Sequence, residues 1–206
     1  MQPASREEKS EKSRAEPNSV RLRPLLHSDR AAVRRWMRDP ALIRFTVLVP
    51  GPHYAPVEPY STADADRYLS VLVDDPKRRT FAICWADRHI GNVGLRDIDA
   101  EASCAECFVE IGESDARRRG FAKRALRQLI SYAFEDLSLT HLRLGVFEFN
   151  QKAIGLYRGL GFEPSGVYGR HWVDGRYWAV HAMELSRDAW FDARSGHAGG
   201  ASGTTH

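Results

Sequence analysis

A run of cations meets two small residues at Arg117-Arg118-Arg119-Gly120-Phe121-Ala122-Lys123. Glycine and alanine let an anion come close to the backbone. A helix opening at that point would add unpaired N–H groups and the positive end of its dipole. The side chains of Arg117, Arg118, Arg119 and Lys123 place further positive charge around the same spot. Chemically this is a cradle for a diphosphate. It is not a P-loop, because no Gly-Lys-Ser/Thr follows, and the G-x-G-x-x-G of a dinucleotide turn is absent. A solvated basic run before an ordinary helix would look the same in isolation, so the surrounding segments decide.

About thirty residues on stands FNQKAIGLYRGLGF, Phe149 to Phe162, with Asn150 at a strand end and Ala153 and Tyr157 on a short helix. Upstream, Glu106 and Glu110 lie on the strand that leads into the basic turn. Side chains alternate along a strand with a period of two, so both point to one face. Cys84, Cys104 and Cys107 complete the reactive side chains, the last two spaced as CxxC. Zinc would need two more ligands at suitable spacing, and a redox pair would want a helix N-terminus. These cysteines therefore read as small apolar strand residues, and no metal is expected.

Hydrophobic period and turn residues supply the elements that must position these groups. Val20–Leu25 alternates apolar and polar residues as a first strand. Ser28 reads as the cap of a helix carrying Val33, Trp36 and Met37, stopped by Asp39-Pro40. Thr46 to Tyr60 holds four of the ten prolines and reads as a long functional loop. A second helix follows over Ala63–Asp74, capped by Ser61 or Thr62. Thr80–Trp85 and Ile90–Leu95 form a hairpin around Asp87-Arg88-His89, and Cys104–Ile111 is the next strand. Phe121–Leu137 is the clearest helix, followed by strand His141–Val146 and the short helix Gln151–Leu160. Gly166–Val173 and Arg176–Leu185 flank Asp174-Gly175, a strong hairpin signal. This order predicts an α/β domain on one mixed sheet.

The 206 residues are 43% hydrophobic and 28% charged, enough apolar content for one sizeable core and too short a chain for two. No apolar run approaches the ~18 residues of a membrane-spanning helix, and no signal-peptide region is visible, so a cytoplasmic protein is expected. A net charge of +3 and a pI near 8.8 fall short of a dedicated nucleic-acid binder but leave room for an anionic ligand. Gln2–Ser19 carries four basic and four acidic side chains without a large apolar residue, and Ser195–His206 is Gly/Ser-rich. The expected division is a disordered tail over 1–19, a domain over 20–193 and a flexible tail over 194–206.

The two segments, at this order and spacing, resemble the GNAT superfamily of acyl-CoA-dependent N-acyltransferases over roughly Val20–Leu185. The closing GRHWVDGRYWAVHAMEL resembles its branch of ribosomal-protein N-terminal alanine and spermidine acetyltransferases. The resemblance implies a single GNAT-like domain, its mixed central sheet flanked by helices and splayed around the coenzyme A pyrophosphate turn. Pantetheine would lie in the splay, with the backbone of Val109, Glu110 and Ile111 bonding its amides. The amides from Arg118 through Lys123, with Gly120, Phe121 and Ala122 among them, would hold the pyrophosphate. Asn150 and Ala153 would touch the pantetheine side.

Tyr157 matches the family's usual general acid, and its ordinary pKa near 10 keeps it protonated at neutral pH. An amine of pKa near 10.4 must lose a proton before attack, and relatives often use a glutamate on the preceding strand, so Glu106 and Glu110 both stand as bases. The loop proline usual in the family is replaced by Ser114 or Asp115. The implied activity is transfer of acetyl from acetyl-CoA to a primary amine, by direct attack in a ternary complex. The acceptor could be a protein N-terminus, a polyamine or an amine-bearing antibiotic. Its contacts would come from Trp36, His53, Tyr54, Tyr60, Tyr168, His171 and Trp172. A CoA-binding regulator without catalysis and a ribosome-associated binding protein are the alternatives. Homodimers are frequent in the family, and neither nucleic acid nor a membrane is an expected partner.

Overall fold

Two tight turns set the register of the sheet. Ala86 and Asp87 both hold positive φ (47° and 63°), as do Asp174 and Gly175 (49° and 82°). Two-residue turns of this kind match the right-handed twist of the strands they join. The first turn sits one residue earlier than the sequence suggests, with Trp85 facing Arg88 across the hairpin. The computed structural model describes residues 19–45 and 60–195. In it the strands are β1 (Arg21–Pro24), β2 (Arg79–Trp85), β3 (Arg88–Asp99), β4 (Cys104–Ile111), β5 (His141–Phe147), β6 (Glu163–Val173) and β7 (Arg176–Ser186). They form one sheet in the order β1-β2-β3-β4-β5-β7-β6, antiparallel throughout except between β4 and β5.

The helices are α1 (Arg30–Trp36), α2 (Pro40–Ile43), α3 (Thr62–Asp74), α4 (Phe121–Ser131), α5 (Gln151–Arg158) and α6 (Arg187–Ser195). They cover both faces. The alternation of β2 shows how: Ala82 and Cys84 pack with Val33 of α1, with Met37 just after it, and with Leu69 and Leu72 of α3. Ile83 turns the other way, into the larger core built on Phe121, Leu126, Leu129 and Ile130 of α4. α3 starts with a reciprocal cap, in which the Asp64 amide donates to Ser61 Oγ (3.1 Å) and the Ser61 amide to Asp64 Oδ2 (3.3 Å).

Between β4 and β5 the sheet opens. Parallel pairing runs only from Cys104–His141 to Glu106–Arg143. Beyond it β4 stays bonded to β3 as far as Ile111, while β5 stays bonded to β7 as far as Phe147. The strands therefore part at Cys107 and leave a wedge with one open edge of β4. This is the splay that the resemblance implies.

Four local expectations differ. Ser28 does not cap α1; a short 3-10 turn over His27–Asp29 precedes the helix, and the Asp29 carboxylate takes the Leu26 amide (3.0 Å). Asp39-Pro40 starts a helix as well as following one: Asp39 Oδ1 accepts the Ala41 amide (2.9 Å) and Pro40 fills the first turn of α2, where its missing N–H costs nothing. The regular helix from Phe121 ends at Ser131 and widens into a π turn over Tyr132–Asp136. α6 reaches Ser195, so the expected boundary at 193 falls inside a helix. Residues 1–18 of the expected tail over 1–19, residues 46–59 of the expected loop over 46–60, and residues 196–206 lie outside the described residues.

Candidate active site

α4 begins at the mouth of the wedge, and Gly120 is its N-cap. Its φ of +80° is left-handed, a conformation that glycine adopts without strain, and no side chain caps the helix. The opening amides of α4 are thus unclaimed by a cap and aimed outward. Arg118 precedes it with φ +63°, and Arg118, Arg119, Gly120 and Lys123 are all exposed. The Arg119 guanidinium lies over the Trp85 ring (4.2 Å) and near Phe121 (5.3 Å). Phe121 is buried in the core, Ala122 is half-buried, and Arg124 Nη1 donates to the Arg119 carbonyl (3.3 Å). An uncapped helix mouth with exposed cations at the end of an open strand edge fits the diphosphate and pantetheine arm of coenzyme A.

Arg117 does something else. Its Nε donates to the Ile111 carbonyl (3.0 Å), and its Nη2 to the Gly112 carbonyl (2.8 Å) and to Asp39 Oδ2 (2.5 Å). It is a brace between the end of β4 and the start of α2. Glu113 makes a second brace: it accepts Trp36 Nε1 (2.9 Å), Arg88 Nη2 (2.6 Å) and the Arg35 guanidinium. Against the opposing effect of burial, these donors hold the Glu113 carboxyl below the usual carboxylate range. Trp36, expected as an acceptor contact, is thereby tied to Glu113, a residue whose sequence position alone carries no mark of this role.

The two glutamates of β4 share a face, as alternation requires, but meet different partners. Each is fixed by the residue directly opposite on β3: Arg96 faces Glu106 and Asn92 faces Glu110. Glu106 is ion-paired to Arg96. Glu110 instead accepts Asn92 Nδ2 (2.7 Å) and lines a narrow cleft with Val33, Trp36, Met37, Ile43 and Tyr68. Burial in that apolar setting pushes its carboxyl up from 4.5 to about 7, although the Asn92 bond works against the rise. Val109 and Ile111, the half-buried neighbours of Glu110, lean on the larger core.

Tyr157 projects from α5 into that larger core, only 7% exposed, with its ring 5.9 Å from Phe162. Burial, with Cys107 and Glu106 close by, raises its phenol well above the ordinary value of 10. The structure therefore brings Tyr157 into the same core as Cys107, the residue at which β4 leaves β5, with Glu110 three residues further up the strand. Asn150 caps α5, its Oδ1 accepting the Ala153 amide (3.3 Å), which leaves its amide nitrogen for other partners. Cys84, Cys104 and Cys107 are free thiols, and burial pushes Cys107 up to about 12, far from a thiolate at neutral pH.

Trp36 is buried, whereas Tyr168 and Trp172 stand exposed on the β6–β7 hairpin. His53 and Tyr54 lie outside the described residues. Among the described residues no group of three or more His, Cys, Asp or Glu gathers as a metal site, and no helix is long and apolar enough to cross a membrane.

A mixed sheet splayed at its parallel pair, with an uncapped helix mouth beside the wedge, defines an acyl-CoA-dependent acyltransferase. The pattern described as acetyltransferase (GNAT) domain matches residues 19–163, and the chain belongs to that family. It is an acetyl-CoA-dependent N-acetyltransferase. The spermidine N(1)-acetyltransferase of Escherichia coli (strain K12) is 31% identical over 161 residues, spanning 78% of this chain and 82% of that protein. The Vibrio cholerae enzyme of the same name is 30% identical over 131 residues, 62% of this chain and 75% of its own. A crystal structure of spermidine N-acetyltransferase from Vibrio cholerae with CoA and spermine has a TM-score of 0.71 at 23% identity. It covers 84% of this chain and 98% of that one. The fold expected from the sequence and the acetyl-transfer activity both stand.

Proposed function

We propose that the acceptor amine enters from the α1–α3 side, that Glu110 takes its proton through water, and that Tyr157 protonates the departing thiolate. Acetyl-CoA supplies the activated acetyl group. The amine nitrogen gains the acetyl carbon, the carbon–sulfur bond breaks, and one proton leaves the amine as another reaches the sulfur. The uncapped amides at the mouth of α4, with Arg118 and Lys123, would hold the pyrophosphate, and the open edge of β4 at Val109 and Ile111 the pantetheine. Asn150 and Ala153 would meet the pantetheine from α5. The activity suits the cytoplasm.

The observation that carries the choice of base is the state of the carboxylates. Asp29, Asp39, Asp66, Glu106 and Glu113 are each ion-paired to an arginine. Glu110 is the acid of the cleft, and its neighbours there are apolar or aromatic. A proton acceptor near pH 7 is best matched to its task, whereas an arginine-bound carboxylate gives up basicity. Glu106 is the second reading, because it shares a face of β4 with Glu110 and stands where that strand parts from β5.

The same lining favours an acceptor with one cationic amine on an apolar body. Spermidine is the second reading there, favoured by the relatives. Thiol release from acetyl-CoA should be compared for spermidine, tyramine and a short peptide with a free N-terminus. Higher kcat/KM for tyramine than for spermidine supports the apolar-amine reading, and the reverse order overturns it.

A further inference from the structure

His89, on β3, is used by nothing described so far, yet it is nearly enclosed, with 9% of its side chain exposed. Its Nε2 lies 3.0 Å from the Gly91 carbonyl and 2.9 Å from Asn92 Oδ1. A carbonyl can only accept, so Nε2 must carry the proton. That proton fixes which way the Asn92 amide points, since Asn92 is fully buried and a flipped amide would set two donors against each other. With Oδ1 turned to His89, Nδ2 is left to donate to Glu110 (2.7 Å). The ring is held from behind by the Trp36 edge (4.8 Å between centroids).

The groups around this chain are few. His89 Nδ1 is buried without a hydrogen-bond partner and faces Asp29 Oδ1 at 3.5 Å. Asp29 is already bound by Arg23 through two bonds of 2.7 and 2.8 Å. Burial lowers the His89 pKa, so the ring stays neutral at pH 7 and the single proton remains on Nε2. Facing Glu110 are Asn92 from β3, Tyr68 from α3 and Trp36 from α1, whose indole N–H is taken by Glu113. Arg96, near Tyr68, is paired to Glu106.

We propose that His89 is a positioning residue for Glu110: through the buried Asn92 amide, its Nε2 proton holds a donor against the carboxylate that accepts the amine proton. The inference rests on Glu110 as the base, and the test separates the two. In the full-length enzyme, kcat/KM for acetyl transfer to one fixed amine is followed from pH 5 to 9. Loss of a hydrogen bond to the charged form raises a carboxyl pKa. His89→Phe keeps a ring but no donor, and His89→Ala removes both. In either variant the acidic limb should move up by about one unit, which is a tenfold fall in rate below the limb. His89→Gln restores a donor and should return the limb to its wild-type position. Glu110→Gln should abolish the limb. If Glu110→Gln abolishes it while His89→Phe and His89→Ala leave it in place, the positioning role is wrong and the base stands. If the limb survives in Glu110→Gln, the base assignment fails and the proposal falls with it.

Discussion

Arg117 Nη2 donates to Asp39 Oδ2 at 2.5 Å, and this contact ties the loop that opens α4 to the first turn of α2. The mouth of α4 and the start of α2 are thereby joined through one guanidinium, which also grips the Ile111 and Gly112 carbonyls at the end of β4. Arg117→Ala should cost about 1.5–3 kcal/mol of stability, the range for hydrogen bonds to charged groups. It should weaken CoA binding as well. A brace and a phosphate ligand differ in what Asp39→Ala does. For a brace, Asp39→Ala reproduces the CoA defect of Arg117→Ala, and the double variant is less than additive. For a phosphate ligand, Asp39→Ala leaves CoA affinity unchanged or improved. Calorimetric CoA titration of the three variants decides.

Glu110 makes a prediction for stability as well as rate. Its folded pKa, about 7, lies above the ordinary 4.5, so the folded state binds the proton more tightly than the unfolded chain does. That contribution is complete below pH 4.5 and is lost as pH rises through 7. Above pH 7 the wild type carries a strained carboxylate that Glu110→Gln lacks, while Gln can still accept from Asn92. Thermal melts should show Glu110→Gln gaining on the wild type between pH 4.5 and 8, by on the order of 2–3 kcal/mol at the upper end. A difference that stays flat with pH would contradict the raised pKa.

Gly112 follows β4 directly beneath the Trp36 ring. A Cβ placed there would sit 2.0 Å from Trp36 Cδ2. Gly112→Ala therefore displaces the indole and breaks its bond to Glu113. Overpacking of this kind costs roughly 1–3 kcal/mol. Urea unfolding should show that loss, together with a raised KM for acetyl-CoA because the Glu113 brace loosens.

The elements were legible where the signal is local. Asp174-Gly175 and the glycine that opens α4 each act within a few residues, and the structure places them as the sequence suggests; of the two expected caps for α3, Ser61 and Thr62, it is Ser61 that takes the role. Asp39-Pro40 misled because a proline that stops one helix is equally suited to begin the next. The site was half legible. Alternation put Glu106 and Glu110 on one face, but what separates them is the residue opposite each on β3, and that depends on the register of a distant hairpin. Arg117 and Asp39 are 78 positions apart, so nothing in the basic run itself marks Arg117 as a brace. Likewise His89 and Asn92 acquire a role toward Glu110 only once β3 and β4 are paired.

Tyr157 offers the most direct test of the account as a whole. Tyr157→Phe removes one hydroxyl and leaves the ring packed against Phe162. General-acid help is worth roughly 10²–10⁴-fold. The rate of thiol release at saturating acetyl-CoA and amine should fall within that range, with CoA affinity measured in parallel and unchanged. A Tyr157→Phe enzyme that keeps the wild-type kcat would contradict the assignment of the proton donor and, with it, the placing of the reacting sulfur where β4 parts from β5.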